Sequence, residues 1–452
     1  MKRYDSYKDS GVEWIGQIPS DWECIRLGML GDFSSSGIDK KSNEDETPVR
    51  MVNYTDIIQS RKYYPIQTGE KEYMRVTTPQ SKFEEHKLER GDMVFIPSSE
   101  THEDLGYSSL IDFDEEDIVY SYHILRYKTK KPVYHYYKKY LINHHSVLNQ
   151  FSSECKGTTR QIIGRDVFNN VRVVIPPISE QQQIVSFLDT KTSLIDSLIE
   201  KTQRKIELLK EKRTSLINEV VTKGLNPNVE MKDSGVEWIG DIPSHWDRVP
   251  LKYEIEILTD FTSNGSFKSL RENVEYLEEG FSRLVRLTDL RVNLENDGIF
   301  ISEDSHNFLC KSELFGGEIL ISCVGRYTGF VTKMLFNKGK CSLGPNMYLI
   351  RNRIESSNVD YLIYLLNSDL IQSGLKNGIN KTTQEKINKD NVKDLQIVRP
   401  PLSEQQQIVE YLDEQTQIID NTISIEEKRI ELLKEYRQSL ISEVVTGKKR
   451  VV

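Results

Sequence analysis

The chain repeats itself at an offset of 224 residues, and this duplication constrains its fold more than any other feature. A short block reads KDSGVEWIGQIPSDW at 8–22 and KDSGVEWIGDIPSHW at 232–246, with 13 identities in 15 positions. A longer block begins PPISEQQQIV at 176 and PPLSEQQQIV at 400. Such a repeat encodes the same structural unit twice. Between the blocks, 24–175 and 248–399 keep one length but share few residues. We therefore predict one scaffold that carries two different variable domains.

The longer block predicts a long helix in each copy. Two prolines cannot continue a helix upstream, Ser179 is a suitable N-cap, and Gln182 can complete a capping box. Apolar residues then recur at spacings of three and four, as in a coiled coil. They are Ile184, Leu188, Ile195, Ile199, Ile206, Leu209, Leu216 and Val220 in the first copy and Ile408, Leu412, Ile419, Ile423, Ile430, Leu433, Leu440 and Val444 in the second. A helix of about 40 residues would be on the order of 60 Å long.

Each apolar stripe is the natural partner of the other. If the duplication has a pseudo-two-fold axis, the two helices are antiparallel and the variable domains sit at opposite ends of a spacer. Polar residues interrupt both stripes, Thr202 and Arg213 in the first and Glu426 and Arg437 in the second. They either fix the register of the pair or simply face solvent.

The sequences of both variable domains predict a mixed α/β fold. The first has candidate strands at 92–97 and 120–127 and a candidate helix at 135–151, and the second has them at 318–323, 346–351 and 359–375. Each domain ends in an apolar strand, 171–175 or 395–398, that leads into a Pro-Pro pair. The fold class is thus α+β, with two α/β domains in tandem separated by an antiparallel two-helix coiled coil. The predicted order is an N-terminal segment 1–23, a variable domain 24–175, a helix 176–224, a linker with the repeated segment 225–247, a variable domain 248–399 and a helix 400–452.

The net charge of −9 disfavours nucleic-acid binding only if it is spread evenly, because phosphate neutralisation supplies much of such affinity. The variable domains are nearly neutral, with 21 basic and 22 acidic residues in 24–175 and 20 of each in 248–399. Most of the acidic excess therefore lies outside the two variable domains, in the segments that we call the repeated frame. Either variable domain can still present a basic face. With no run of 18 apolar residues and no apolar signal core, we expect a cytoplasmic protein without a membrane partner.

Catalytic motifs are missing from the sequence. The Pro-Pro pairs do not fit the Asp/Asn-Pro-Pro-Tyr/Phe motif of an adenine methyltransferase, and there is no G-x-x-x-x-G-K-[ST] loop. The five cysteines form no C-x-x-C pair, and no zinc site is indicated. We predict a non-catalytic chain. Two alternatives remain open: a nuclease or methylase hidden in one variable domain, and a coiled-coil adaptor that binds only protein.

The repeated blocks resemble those of the specificity (S) subunit of type I restriction-modification systems, the HsdS family. The matching marks are SGVEWIGxIPxxW and PPxSEQQQIVxxLD, each present twice around a variable domain, and together they cover essentially all 452 residues. The resemblance implies two target-recognition domains that each read one half of a split double-stranded DNA sequence, with a gap set by the helical spacer. It also implies that two methyltransferase subunits dock on the frame and that restriction subunits join them. S-adenosylmethionine, ATP and Mg²⁺ would be used by these partners, with no cofactor or metal bound by this chain.

A polar cluster precedes the last strand of each variable domain and supplies groups suited to phosphates and base edges. The best candidates for DNA contact are Lys156, Thr158, Thr159, Arg160 and Gln161 in the first domain and Lys381, Thr382, Thr383, Gln384 and Lys386 in the second. Gly157 would allow a close backbone approach to a phosphate. The alternative is that both clusters are ordinary polar loops.

Other candidates for DNA contact rest on weaker patterns. They are Arg61 and Lys62 with Tyr63 and Tyr64, the loop residues Arg326 and Tyr327, and Arg283, Arg286 and Arg291, whose alternating run suggests one exposed strand face. The repeated tryptophans, Trp14 with Trp238 and Trp22 with Trp246, lie in the constant block. We therefore expect them to anchor each variable domain to the scaffold.

Overall fold

The chain divides into two compact units. The computed structural model describes residues 3–60, 65–157, 159–377 and 386–451, with the side chains of 376 and 377 excepted. Unit 1 is Met1–Gln203 with Glu427–Val452, and unit 2 is Arg204–Glu426. Each unit holds one variable domain, one short repeated block and part of each long helix. Within the described residues, no helix combines the length and apolarity needed to cross a bilayer.

Unit 1 contains fourteen strands among its described residues. They are β1 Tyr7–Asp9, β2 Gln17–Pro19, β3 Glu23–Arg26, β4 Gly31–Ser34, β5 Thr47–Val52, β6 Ile66–Gln67, β7 Met74–Thr78, β8 Met93–Phe95, β9 Ser98–Ser99, β10 Ser108–Ile111, β11 Ile118–Tyr120, β12 Leu125–Thr129, β13 Gln161–Ile162 and β14 Arg172–Ile175. Its helices are α1 Leu27–Leu30, α2 Tyr54–Ser60, α3 Gln80–His86, α4 Lys138–Leu141, α5 His145–Ser152, α6 Arg165–Asn170 and the first part of α7 Ile178–Lys223.

The strands of unit 1 form one five-stranded sheet and several smaller ones. The larger sheet has the order β4-β12-β8-β10-β6, with β12 antiparallel to both β4 and β8. A three-stranded sheet, β11-β5-β7, contains a parallel pair between β11 and β5. Strand β3 pairs antiparallel with β14, so the two ends of the variable segment meet immediately before the long helix.

Unit 2 contains thirteen strands among its described residues. They are β15 Met231–Asp233, β16 Asp241–Pro243, β17 Asp247–Pro250, β18 Ile255–Asp260, β19 Tyr276–Leu277, β20 Ser282–Val285, β21 Phe300–Ile301, β22 Glu313–Leu314, β23 Ile319–Ser322, β24 Val331–Lys333, β25 Cys341–Leu343, β26 Met347–Asn352 and β27 Gln396–Arg399. Its helices are α8 Phe267–Asn273, α9 Leu287–Leu290, α10 Glu303–Phe308, α11 Val359–Asn367, α12 Asp369–Asn377, α13 Lys389–Asp394 and the first part of α14 Leu402–Val445. The last part of α7 also lies in unit 2, and the last part of α14 lies in unit 1.

The two variable domains share a fold in spite of their divergent sequences. The sheet β18-β26-β23-β24 of unit 2 has the same order as the first four strands of the larger sheet in unit 1, at close to the 224-residue offset. A parallel pair, β20 with β25, takes the place of β5 with β11. Strand β17 pairs with β27 as β3 pairs with β14. The mixed helix and strand composition agrees with the predicted fold class.

Three predicted elements are wrong in detail. The predicted strand 120–127 is two strands, β11 and β12, because the chain turns at 121–124, where the Ile124 amide donates to the Ser121 carbonyl. The predicted helix 135–151 is broken at His144, whose extended backbone caps α5. The predicted helix 359–375 is likewise α11 and α12, separated at Ser368, which has an extended backbone.

The repeated block ties each variable domain to its long helix through equivalent contacts. Trp22 is fully buried and its indole Nε1 donates to Glu180 at 2.7 Å, while Trp246, also fully buried, donates to Glu404 at 2.8 Å. Glutamines one residue further along repeat the pattern, with Nε2 donating to the carbonyl of a proline five residues earlier, Gln181 to Pro176 and Gln405 to Pro400. Trp22 and Trp246 also lie in hydrophobic clusters that contain buried residues of their variable domain and of the long helices, so the anchoring role predicted for this pair is confirmed.

Two smaller expectations about the repeated frame differ from the structure. Trp14 stays 43% exposed, so it does not anchor unit 1 as Trp22 does. Helix α7 begins at Ile178, one residue before Ser179, which was predicted to be its N-cap. The chain already turns there because the Pro177 carbonyl accepts from the amides of Glu180 and Gln181.

Three of the four polar residues that interrupt the helical stripes, Arg213, Glu426 and Arg437, make contacts between the helices. In unit 2, Lys205 Nζ lies 2.6 Å from Glu426 Oε1, and Arg213 Nε lies 3.0 Å from Asp420 Oδ1. The residue number rises on α7 while it falls on α14, so the helices are antiparallel in this unit. In unit 1, Arg437 Nε lies 2.9 Å from Asp196 Oδ1. This pair is related to Arg213 and Asp420 by the 224-residue offset. Thr202 is also buried, and its hydroxyl donates to the Leu198 carbonyl.

Candidate nucleic-acid interface

The polar cluster of the first domain forms a tight exposed loop. Lys156 and Ile162 exchange backbone hydrogen bonds of 3.1 and 2.8 Å, and β13 then pairs with β9. Gly157 has φ +118°, and a Cβ there would lie 2.2 Å from the Arg160 carbonyl oxygen, so only glycine fits this turn. Lys156, Thr159 and Arg160 are exposed, while Thr158 lies outside the described residues.

The loop borders a cleft of about 350 Å³ in unit 1, which we call cleft 1. Its lining residues are Lys40, Asn53, Tyr54, Thr55, Ser99, Glu100, Thr101, His123 and Arg160. Burial lowers the pKa of His123, and the positive charges of Arg160 and Lys40 lower it further. The Tyr54 hydroxyl lies 3.1 Å from Ser99 Oγ and donates to Asp104 at 3.0 Å. Cleft 1 is therefore polar, and the charges of Arg160 and Lys40 act on His123 within its lining.

Gln161 faces the other side of the loop. Its Oε1 lies 2.7 Å from His102 Nδ1, and the Cys155 thiol lies 3.7 Å from the same oxygen. The side-chain carbonyl of Gln161 therefore holds the loop against the domain. Of the predicted cluster, Arg160 is the residue that the structure places in cleft 1.

In unit 2 the predicted cluster is only partly described. Lys381, Thr382, Thr383 and Gln384 lie outside the described residues. Lys386 is exposed and its backbone bridges to Val324, while the Ile387 amide donates to the Cys323 carbonyl at 3.0 Å. Lys386 thus lies beside the chain that follows β23.

Lys386 also borders a cleft of about 630 Å³, which we call cleft 2. Its lining residues are Asp260, Phe261, Thr262, Phe267, Leu270, Arg271, Val274, Tyr276, Cys323, Val324, Pro345, Asn346, Met347, Tyr348 and Lys386. The two clefts overlap in position within their domains. At the 224-residue offset, Ser99, Glu100 and His123 of cleft 1 correspond to Cys323, Val324 and Met347 of cleft 2.

The loop candidates of the second domain form a separate exposed group. The Tyr327 ring lies beneath two guanidinium groups, with its centroid 4.3 Å from Cζ of Arg291 and 5.8 Å from Cζ of Arg326. All three side chains are exposed. Stacked guanidinium and aromatic groups of this kind suit contacts to phosphates or to unstacked bases.

Arg283 and Arg286 do not share an exposed face as predicted. Strand β20 ends at Val285 and α9 begins at Leu287, so the alternation stops between them. Arg283 donates to the Leu294 carbonyl at 2.9 Å, and Arg286 donates to Asp289, which is fully buried. Burial raises the pKa of Asp289, but hydrogen bonds from Arg286 and Asn296 outweigh it and hold that pKa below its usual range. These arginines stabilise a buried carboxylate.

Arg61, Lys62, Tyr63 and Tyr64 lie outside the described residues. Sequence reasoning missed His123 and Tyr54 in cleft 1 and Phe267, Arg271 and Tyr276 in cleft 2. These residues come from segments far apart in the chain, and no local motif marks them.

The described part of the chain contains no group of three or more His, Cys, Asp or Glu side chains that could hold a metal ion. His144 lies in the core of unit 1, where burial and the neighbouring His145 lower its pKa to about 3. It is a neutral packing residue.

Comparisons with known proteins agree with this architecture. The family model described as the type I restriction modification DNA specificity domain matches residues 19–208 and 257–435. A putative type I restriction enzyme MjaX specificity subunit from Methanocaldococcus jannaschii is 24% identical over 448 residues, which cover 97% of this chain and 96% of the relative. The MjaVIII specificity subunit of the same organism is 27% identical over 319 residues, covering 66% of this chain and 67% of the relative.

Two solved structures share the fold. The HsdS subunit from Thermoanaerobacter tengcongensis matches with a TM-score of 0.56 at 17% identity, covering 96% of this chain and 98% of that chain. A chain from a structural study of complex assembly and conformational transition of the type I R-M system matches with a TM-score of 0.69 at 16% identity, covering 95% of this chain and 98% of that chain.

Proposed function

The chain belongs to the type I restriction-modification DNA specificity family as a specificity subunit, and from this we propose that each variable domain reads one half of a split DNA sequence. Cleft 1 and Arg160 would contact one half-site, and cleft 2 and Lys386 the other. The observation that carries this proposal is the pair of clefts that overlap in position within a shared fold, with linings that differ in chemistry. One fold with two linings is what two unlike half-sites require.

The repeated frame supports a second part of the proposal, a spacer that sets the gap. Buried tryptophans of the short repeated block bond to Glu180 and Glu404 at the start of each long helix and share a hydrophobic cluster with the variable domain. Helices α7 and α14 extend over 46 and 44 residues, and each contributes to both units. We assign them the role of an antiparallel coiled coil whose length determines the gap between the half-sites.

The chemistry would belong to partner proteins. We assign two methyltransferase subunits to the repeated frame, because a duplicated surface offers two equivalent docking sites, and restriction subunits to the complex that they form. S-adenosylmethionine, ATP and Mg²⁺ would bind to these partners, while this chain catalyses no step. Its task is recognition of double-stranded DNA and assembly of the complex.

The test is sequencing of methylated adenines in a bacterial host without other methyltransferases. One strain expresses the methyltransferase subunit of the same restriction-modification system alone, and the other expresses it together with this chain. A split motif that appears only in the second strain supports the proposal. An intact complex that binds DNA without methylating it refutes the assigned methyltransferase pairing, and a complex that does not bind DNA favours an adaptor.

Exchange of residues 24–175 for the variable domain of another specificity subunit tests whether each variable domain reads its own half-site. The expected result is a change in one half of the motif, with the other half and the gap unchanged. A change in both halves would refute the assignment of one half-site to each domain.

A further inference from the structure

Cleft 2 differs from cleft 1 in having an exposed aromatic side chain at its edge. Phe267 is 82% exposed at the first position of α8. The Ser266 side chain caps this helix by accepting from the Ser269 amide at 3.2 Å, so the backbone that carries Phe267 is fixed. Tyr276, which is 55% exposed, borders the same cleft. The interior is also apolar, with Leu270 and Met347 among its walls.

Two basic residues line the same cleft. Arg271 follows Phe267 by one helical turn and, like Lys386, is exposed and lines the cleft. The acidic residue of the cleft, Asp260, is neutralised within the domain, because Lys389 Nζ lies 3.1 Å from its Oδ1 and the Ser263 hydroxyl donates to that oxygen at 2.7 Å. A cleft that holds an exposed aromatic side chain and two cations complements a duplex groove, where bases lie between two rows of phosphates.

Cleft 1 offers a different set of groups. Its lining contains Arg160, Lys40 and His123 with several hydroxyl and amide side chains, and position 123 holds histidine where cleft 2 has Met347. Polar groups read base edges by hydrogen bonds, whereas an apolar side chain in the major groove can read only the thymine methyl group. The two clefts are therefore suited to different modes of reading.

We propose that unit 2 recognises its half-site through apolar contact between Phe267 and the C5-methyl group of a thymine, with Arg271 and Lys386 on the flanking phosphates. This proposal rests on the proposed DNA-recognition function and adds the chemical group that is read. It requires at least one A·T pair in the half-site assigned to unit 2. It also predicts that removal of one buried methyl group weakens binding by about fourfold.

The experiment replaces thymine by deoxyuridine, which removes only the methyl group. The assay measures binding of the complex of this chain with its methyltransferase to fluorescent duplexes. The duplexes carry the motif found by methylation sequencing, and each thymine of the two half-sites is replaced in turn. Exchange of 24–175 identifies which half belongs to unit 2. For the unaltered chain, one replacement in that half should lower affinity about fourfold.

The variant Phe267→Ala should bind the thymine duplex about as weakly as the unaltered chain binds the deoxyuridine duplex, and should no longer distinguish them. Phe267→Leu keeps an apolar contact and should retain part of the discrimination. The matched control is Ile354→Ala, since Ile354 is 77% exposed in unit 2 but lies outside cleft 2. It should discriminate as the unaltered chain does.

Several outcomes would overturn this inference while leaving the proposed function intact. They are a unit 2 half-site without an A·T pair, an unaltered chain that is indifferent to every deoxyuridine, and a Phe267→Ala variant that keeps full discrimination. Loss of methyltransferase from the purified Phe267→Ala complex, with discrimination unchanged, would assign Phe267 to protein docking. If the unaltered complex shows no sequence preference in either half-site, the proposed function itself fails.

Discussion

Replacement of Gly157 by alanine tests whether the loop 156–161 reads DNA. At φ +118° an added Cβ would lie 2.2 Å from the backbone oxygen of Arg160, which cannot move without opening the turn. Holding a non-glycine residue in such a conformation costs on the order of 1–3 kcal/mol. The loop is exposed and should relax instead, so global stability should change little. If DNA binding requires the native turn, the same cost reappears as a loss of affinity of about 5- to 150-fold.

The assay is fluorescence anisotropy of the complex with the methyltransferase on duplexes that carry either the full motif or one scrambled half-site. Gly157→Ala should weaken binding to the full motif and have no further effect when the half-site of unit 1 is already scrambled. Gly164→Ala is the matched control, because a Cβ at Gly164 meets nothing within 4 Å and its φ is −69°. Equal affinity of the two variants for the full motif would refute the role assigned to this loop.

Further predictions address the two readers, the core and the spacer. Arg160→Ala and Lys386→Ala should each lower the affinity for only one half-site. If the lost cation neutralises a phosphate, each variant should also reduce the slope of log affinity against log salt by about one, and an unchanged slope would contradict that contact. The pKa of His144 is about 3 when folded and about 6.5 when unfolded, so the unfolded chain binds more protons between these values and stability falls as pH drops below 6.5. The loss should reach about 2 kcal/mol at pH 5, and thermal unfolding of a His144→Gln chain should depend less on pH between 7 and 5; identical pH dependence in both chains would refute this. Deleting 200–206 together with 426–432 should shorten the spacer by about 10 Å, equivalent to about three base pairs, and methylation sequencing should find a new gap between unchanged half-sites.

Repetition made the frame predictable from sequence. The period of the apolar residues predicted both long helices, and the positions of Trp22 and Trp246 in the constant block predicted their anchoring role. The strand before each Pro-Pro pair was also predictable, because a short apolar run that ends at proline has few other structures available. These signals are local, since each depends on residues close together in the chain.

The polar interruptions of the helical stripes had two interpretations that sequence could not separate. Arg213 and Arg437 are as compatible with solvent as with an ion pair, and only the facing helix supplies Asp420 and Asp196. The prediction for Arg283 was wrong for the same reason. Its sequence neighbours suggested an exposed strand face, but the guanidinium bonds to backbone carbonyls of the segment that follows α9.

By itself, the sequence determined that the chain is one scaffold used twice, with long helices in the constant parts and α/β domains in the variable parts, since duplication and periodicity are properties of a linear string. Which side chains share a cleft depends on the three-dimensional fold. Arg160 lines one cleft with His123 and Lys40, and Phe267 lines the other with Lys386, although these residues lie more than 35 positions apart in the chain. The lining residues of each cleft come from separate strands, helices and loops, so no local pattern marks them, and the shared fold carries a different set of side chains in each domain.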